Sequence, residues 1–450
     1  MKLSLLNKYD QPTPRYTSYP TVPYWEQAPD QEHWLGQLQD RLSQHPEVSL
    51  YIHLPYCEQL CTYCGCNKRI TVNHAVERPY IDSLLQEWAI YQTAFRRRPV
   101  LKELHLGGGT PTFFSPENLD YLLQEITRSV SIPEDRSFGF EAHPNNTMEA
   151  HLAVLHKNHF NRISIGVQDF SPVIMTAINR RQDERDVYRL TGTARKMGFD
   201  SINFDFVYGL PFQRMQHIQY NLEKLAELRP ERVAYYSYAH VPWKQASQRR
   251  FTEADIPVGV DKRALYETIE QGLRQLGYHS IGIDHFSLPS DELYQSAEAG
   301  SLHRNFMGYT PYSTNFLIGL GASAIGDSGT AFIQNAPKVE EYQQDVAEGR
   351  LPIIRGHQLS EADQRLRGHI LNLMCRFFTY WLDEEWTLSA ELQAACHRLE
   401  ELARDGLVKL NRNSVHVTPA GLPFIRNIAN CFDARYWERQ PTQHLFSSTL

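Results

Sequence analysis

Four of the seven cysteines in this 450-residue chain fall within ten residues, in the stretch Cys57-Glu-Gln-Leu-Cys61-Thr-Tyr63-Cys64-Gly65-Cys66. The other three, Cys375, Cys396 and Cys431, are scattered. A hydrophobic run at 49–54 ends at Pro55 and delivers Cys57, Cys61 and Cys64 onto one loop, with three and then two residues between them. Thiols so spaced suit a metal cluster. Three thiolates can each hold one iron of a [4Fe–4S] cube and leave the fourth iron open to a small molecule. Structural zinc is an alternative, but it wants a closed tetrahedron, usually from two separated Cys-x-x-Cys pairs, and no second pair exists here. Buried or redox thiols without metal are a third reading. Cys66 is open between two roles, a spare thiol beside the cluster or a fourth ligand that closes it.

Two other stretches offer ligand contacts. Gly107-Gly108-Gly109 directly follows a strand-like run. Glycine there lets backbone groups approach a ligand without a side chain in the way, and a tight turn alone would also use it. Asp205 falls inside a strand-like run, where aspartate is a poor β-former and costly to bury alone. Its expected partner is a ribose hydroxyl or an arginine such as Arg180, and in the second case the pair is equally readable as a buried salt bridge. His53, His240 and His285 serve either behind such a site or as hydrogen-bonded core histidines.

Positioning these residues takes a repeated unit. Strand-like runs at 49–54, 103–106, 137–141, 162–167, 201–207 and 232–238 alternate with helical periodicity at 77–97, 116–130, 147–158, 183–198 and 214–228. Six such strands predict an α/β fold, a parallel sheet with right-handed crossovers curved as a partial (β/α)6 TIM-like barrel. In each unit the polar residues come at or after the strand: the cysteines, the glycine run, Glu141 with His143, Gln168 with Asp169, Asp205, and His240. A β/α barrel puts those positions on one rim, the face where active sites are built. Beyond the barrel, a helix at 261–276 and a strand at 278–283 extend the core, and 303–335 is a Gly- and Ser-rich stretch returning to the site. Residues 1–48 read as a Pro-rich, aromatic arm with a helix at 31–42, laid on the main domain. Residues 49–355 form the barrel and its extension. Residues 356–450 form a small winged-helix-like domain, with helices at 360–378 and 388–405, a hairpin at 407–418 turning at Asn411-Arg-Asn413, and a helix at 420–431.

Composition narrows the function. Hydrophobic residues make up 42% of the chain, ordinary for a soluble globular protein. No apolar run is long enough to span a bilayer, and the first residues lack the apolar core and cleavage site of a secretory signal, so a cytoplasmic protein is expected. Cysteines gathered in one loop fit a reducing compartment and metal binding better than disulfides. A net charge of -7 without a long basic run argues against nucleic acid as the main partner, while leaving room for a local basic pocket. The 24 tyrosines and 21 phenylalanines suit a large aromatic ligand as well as plain core packing.

Cys-x3-Cys-x2-Cys after a first strand resembles the radical S-adenosylmethionine (SAM) superfamily. Several strings look more narrowly like its oxygen-independent coproporphyrinogen III oxidases, over nearly the whole chain: Tyr63-Cys64-Gly65-Cys66-Asn67-Lys68, the N-terminal Pro14-Arg15-Tyr16-Thr17-Ser18-Tyr19-Pro20-Thr21, His105-Leu-Gly107-Gly108-Gly109-Thr110-Pro111-Thr112, Gly166-Val-Gln168-Asp169-Phe170, and Cys431-Phe432-Asp433. The resemblance implies a [4Fe–4S] cluster on Cys57, Cys61 and Cys64 and two SAM molecules. Tyr51, Gly108, Glu141 and Ile325 match positions around the cluster-bound SAM. Tyr63, Gly109, Thr110, Gln168, Arg180, Asp205 and Ala239 match those around the second. No side chain is assigned a catalytic role. Met307 and His143 depart from the family's pattern, where glutamine and aspartate are common.

The substrate so implied is coproporphyrinogen III, whose four propionates call for cations and hydroxyls around an aromatic cavity. Arg15, Tyr16 and Tyr19 on the arm, with Arg304 and Arg426, are the candidates. The implied reaction is an anaerobic oxidative decarboxylation in haem biosynthesis. A SAM-derived 5′-deoxyadenosyl radical takes a hydrogen from the β-carbon of a propionate, and loss of CO2 and one electron leaves a vinyl group; a second round gives protoporphyrinogen IX. Electrons would come from a low-potential donor such as a flavodoxin or ferredoxin, and the chain would act as a monomer. A haem-binding chaperone of the same fold is the alternative; the arm and Gly65-Cys66-Asn67-Lys68 favour the oxidase.

Overall fold

The computed structural model describes residues 3–243 and 245–441. The outermost parts of the expected arm and C-terminal domain, 1–2 and 442–450, lie outside the described residues, as does residue 244. Six strands lie side by side in sequence order, each pair parallel: β1 (Glu47–Leu54), β2 (Val100–Gly108), β3 (Ser137–Ala142), β4 (Arg162–Gln168), β5 (Ser201–Tyr208) and β6 (Arg232–Ser237). The helices between them are α1 (Glu77–Gln92), α2 (Pro116–Thr127), α3 (Glu149–Lys157), α4 (Glu184–Met197) and α5 (Met215–Leu228). Their starts follow local chemistry. Ser115 caps α2 by accepting from the backbone N–H of Asn118, with Pro116 in the first turn, and Asp183 caps α4. Because helices cover the sheet, alternate and adjacent strand residues alike are buried, as with Val48, Ser49 and Leu50 and again Ile52, His53 and Leu54 of β1.

The sheet is wider than six strands. On the free edge of β1 it continues with a parallel strand, Leu317–Leu320, and then three antiparallel ones, Ile325–Asp327, Ala331–Asn335 and Ile353–Gln358. On the edge of β6 it adds His285–Ser287 and His279–Ile281, both antiparallel. The Gly- and Ser-rich stretch 303–335 is therefore largely sheet and hairpin. Leu317–Leu320 is buried at every position, so it shows no alternation, and its neighbours are too short to reveal a period.

The C-terminal segment contains helices Glu361–Arg376 and Ala390–Arg404 and a three-stranded sheet made by Phe378–Tyr380 and the hairpin Val408–Asn411 with Ser414–Val417. These enclose a second core, and the arm completes it. Tyr9, Tyr16 and Tyr19 are buried there beside Leu366, Trp381 and Phe432. The later part of the arm lies on the main domain: helix Gln31–Gln44 sends Trp34, Leu38 and Leu42 into the main core, and Trp25 stacks on Phe332 of the sheet with ring centroids 5.2 Å apart. Arm tyrosines find hydrogen-bond partners at the other end of the chain: Tyr16 donates to Asp433 at 3.0 Å and accepts from the Asn430 amide at 3.0 Å. No described helix is long and apolar enough to cross a membrane.

Candidate active site

The C-terminal ends of β2 to β6 and the loop after β1 surround a cavity of about 1760 Å³. The cysteine loop is pinned where it leaves and rejoins the sheet. Gly109 and Thr110 donate backbone N–H groups to the carbonyls of Leu54 and Tyr56, at 2.8 and 2.9 Å, and Arg69 and Thr71 return to those of Pro55 and Cys57. Between these ends, the Thr62 N–H donates to the Ile178 carbonyl at 3.0 Å and the Asn179 amide to that of Leu60 at 2.7 Å. His53 Nε2 lies 2.9 Å from the Asn67 carbonyl oxygen.

All four cysteines of the loop are free thiols facing the cavity; Cys57, Cys61 and Cys64 are half-buried and Cys66 is exposed. Burial pushes the Cys57 thiol up to about 11, and Thr110 Oγ1 stands 3.3 Å from its sulfur. A hydrogen bond with Cys66 holds Cys64 below the usual thiol range. Arg180 Nη1 points at Cys61 Sγ from 3.7 Å, and Lys68 Nζ donates to the Cys64 carbonyl at 3.0 Å. The Lys68 charge adds to the lowering of Cys64 and so favours its thiolate, the ligand form. Among the described residues, no three His, Cys, Asp or Glu side chains converge around a point that one metal ion could occupy. A tetrahedral zinc site needs that convergence. A cube does not, because each thiolate takes a different iron. The donor set fits a [4Fe–4S] cluster.

Most residues expected near SAM share the same cavity. Tyr63 reaches it from the cysteine loop, Gly108, Gly109 and Thr110 from the end of β2, and Glu141 from β3. Gln168, Arg180, Asp205 and Ala239 complete that rim. Tyr51 and Ile325 do not face it. Tyr51 stacks against His105 with ring centroids 6.1 Å apart, and its hydroxyl lies 3.2 Å from His53 Nδ1. The glycines are required before any ligand arrives. A Cβ on Gly107 would sit 2.9 Å from Glu141 Oε1, and one on Gly109 2.6 Å from the Pro55 carbonyl. Gly108 has φ +114°, and its Cβ would meet the His53 ring at 2.6 Å. Its N–H donates to Glu141 Oε2 at 3.2 Å. Gln168 is turned by an irregularity between β4 and β5 and adopts φ 67°.

Asp205 and Arg180 are not partners, which corrects that expectation. Asp205 accepts from the Ser164 hydroxyl at 2.5 Å and the Asn203 amide at 2.9 Å. Burial still raises it to about 6. Arg180 spends its guanidinium on the Gly166 carbonyl, at 2.5 Å, and on Gln182. Ser164 and Asn203 were missed. Their signal was alternation: Ser164, Gly166 and Gln168 on β4, and Asn203 and Asp205 on β5, share one face each. His143 lines the cavity, and burial beside Arg180 depresses it well below the usual imidazole range.

The arm reaches the cavity at one wall. Arg15 and Arg426 face it, whereas Tyr16, Tyr19 and Arg304 do not. Tyr16 and Tyr19 are spent on the C-terminal core, and Arg304 donates to the Tyr16 carbonyl at 3.2 Å. Arg15 pairs with Asp284, with both contacts at 3.3 Å. Arg426 donates to the carbonyls of Thr13 and Pro14, and burial, with Arg15 nearby, brings it down to about 9. Burial takes His285 to about 4, and His240 meets the Tyr238 hydroxyl at 3.2 Å; neither faces the cavity. Met307 also lies away from it.

Comparison with known proteins agrees with this geometry. The sequence model of the radical SAM superfamily matches residues 51–225. The oxygen-independent coproporphyrinogen III oxidase of Pseudomonas aeruginosa is 35% identical over 436 residues, 95% of each chain. That of Escherichia coli is 36% identical over 454 residues, covering 100% of this chain and 98% of its own. The solved structure of the Escherichia coli coproporphyrinogen III oxidase, described as a radical SAM enzyme, superposes with a TM-score of 0.89 at 35% identity, over 96% of this chain and 98% of that one. Identity at this level, sustained through arm, barrel and C-terminal segment, shows that the chain belongs to the oxygen-independent coproporphyrinogen III oxidase family of radical SAM enzymes.

Proposed function

We propose that this protein converts two propionate side chains of coproporphyrinogen III to vinyl groups, giving protoporphyrinogen IX. One observation carries the reading: the cysteine loop, the polar rim of the sheet and the Arg15–Arg426 wall open onto one cavity of about 1760 Å³. A pocket for a single drug-sized ligand is about 300–1,000 Å³, so this one has room for cofactors and a macrocycle together. When bound, the cluster and SAM supply one electron and a carbon-centred radical. Cys57, Cys61 and Cys64 hold the cluster, with Arg180 Nη1 directed at Cys61 Sγ. Two SAM molecules are proposed. Gly108 and Glu141 face the cluster-bound one, with Tyr51 and Ile325 backing that wall; Tyr63, Gly109, Thr110, Gln168, Arg180, Asp205 and Ala239 face the second. Arg15 and Arg426 pair with propionate carboxylates, to which a planar guanidinium donates in bidentate fashion. Tyr16, Tyr19 and Arg304 act indirectly, by holding the arm that carries Arg15.

The chain works as a cytoplasmic monomer, reduced by a low-potential donor such as a flavodoxin or ferredoxin. An anaerobic assay with reconstituted protein, SAM, a strong reductant and coproporphyrinogen III tests the activity. Protoporphyrinogen IX and 5′-deoxyadenosine are the expected products. A protein that holds its cluster and cleaves SAM but leaves both propionates intact would refute the substrate assignment.

A further inference from the structure

Glu87, on α1, has no exposed surface and no part in the chemistry above. Three donors converge on its carboxylate: the Gly321 N–H at 2.8 Å, the Asn335 amide at 2.7 Å and the Tyr342 hydroxyl at 2.7 Å. Asn335 also donates to the Gly321 carbonyl at 3.0 Å, so the Gly321 residue is gripped through both its backbone polar groups. Burial nevertheless raises Glu87 to about 7. A buried carboxylate is weak evidence of stabilisation, since apolar replacements of such groups are often neutral or better. What it holds is the more informative fact.

Gly321 follows the strand Leu317–Leu320 and begins the turn that leads to Ile325. Its φ is +97°, and a Cβ there would lie 2.6 Å from the His53 carbonyl oxygen and 2.7 Å from the Tyr80 hydroxyl. Tyr80, two helical turns before Glu87 on α1, accepts from the Ala322 N–H and donates to the His53 carbonyl, both at 2.9 Å. His53 in turn reaches Asn67, at the end of the cysteine loop, and the Tyr51 hydroxyl. One helix therefore clamps the Gly321–Ala322 turn onto the end of β1 from which the cysteine loop departs.

We propose that Glu87 is a positioning residue for the cofactor pair: by fixing the Gly321–Ala322 turn it sets where the wall before Ile325 stands relative to the cysteine loop. The inference rests on the reading above that this turn and Ile325 back the wall of Gly108 and Glu141 against which the cluster-bound SAM lies. The ionisable side chains around Glu87 are Tyr80, Tyr91 and Tyr342, each pushed up by burial and neutral near pH 7. The group that changes charge in this enclosure is thus Glu87, and its ionised form is the one that satisfies three donors.

The test compares wild type with Glu87→Gln and Tyr342→Phe, all reconstituted with iron and sulfide without oxygen. Iron per chain and SAM affinity by equilibrium dialysis are measured from pH 6 to 8. Glutamine cannot accept from three donors, so Glu87→Gln should keep its iron, bind SAM about tenfold more weakly, and lose the part of the pH dependence centred near 7. Tyr342→Phe removes one donor at nearly constant volume, which disfavours the carboxylate and moves that midpoint to higher pH. Wild-type affinity and pH profile in Glu87→Gln would overturn the proposal. Should that variant not fold, an unmoved midpoint in Tyr342→Phe overturns it equally. Wild-type protein that carries iron yet binds no SAM would bring down the cofactor reading, and this inference with it.

Discussion

A thiol becomes a metal ligand only when it gives up its proton, and here that depends on position within the loop. Burial raises Cys57 to about 11, and its ligation relies on the metal itself displacing the proton. We expect Cys57→Ala, Cys61→Ala and Cys64→Ala each to abolish cluster assembly, and Cys66→Ala to retain full iron, because the exposed Cys66 is dispensable for holding the cube. Iron and sulfide counts after anaerobic reconstitution decide this. Asp205 supplies a pH signature. Its carboxyl is raised to about 6, so its charged form is disfavoured by the fold, and the cost grows as pH rises from the ordinary carboxylate range to 6 and is complete above it. Asp205→Asn should therefore raise the melting temperature of the cofactor-free protein at pH 8 by a few degrees and leave it unchanged near pH 4, measured by calorimetry. SAM binding should move the other way, weaker in the variant above pH 6, by dialysis. At this scale the cysteines were legible because spacing along one loop survives folding unchanged. Asp205's true partners were not, because Ser164 comes from the neighbouring strand and only the lateral pairing of β4 with β5 brings it within 2.5 Å.

The elements show why two glycines in a row can matter more than a ligand contact. β2 ends pressed between β1 and Glu141, and Gly108 takes a backbone conformation that side chains rarely adopt. Gly108→Ala should cost about 1–3 kcal/mol for the backbone alone and more for the overlap with His53, read as a lower urea midpoint at an unchanged slope. The same displacement of His53 would disturb Asn67 and with it the cysteine loop. The six barrel strands could be read because helical periodicity separates each from the next, which repeats one unit along the chain. The four strands beyond β1 could not. Each has three to six residues, and Leu317–Leu320 is buried throughout, so neither alternation nor length distinguishes it from loop.

Across the whole molecule, the arm joins four places: the main core through Trp34, Leu38 and Leu42, the C-terminal core through Tyr9, Tyr16 and Tyr19, the strand hairpin through Arg304, and the cavity through Arg15. Deleting it would strip the C-terminal core, so the informative change is a point substitution. Arg15→Ala should keep the cluster spectrum and reductive SAM cleavage while slowing propionate conversion roughly 10- to 100-fold, the worth of about one charged hydrogen bond. Equal loss of both activities, measured as 5′-deoxyadenosine against vinyl product, would mean that Arg15 serves the fold and leaves the substrate alone.

The hydrogen bond from Tyr16 to Asp433 spans 417 residues of chain. At about 5–20 residues added per second during synthesis, roughly 20 to 80 s separate the emergence of the two partners from the ribosome. For that interval Tyr9, Tyr16 and Tyr19 have no socket, while the barrel strands, paired with near neighbours in sequence, can already form. Arg15 thus takes its place at the cavity last. A nascent or prematurely terminated chain holds a cysteine loop and a rim, but lacks the wall that engages a carboxylated macrocycle.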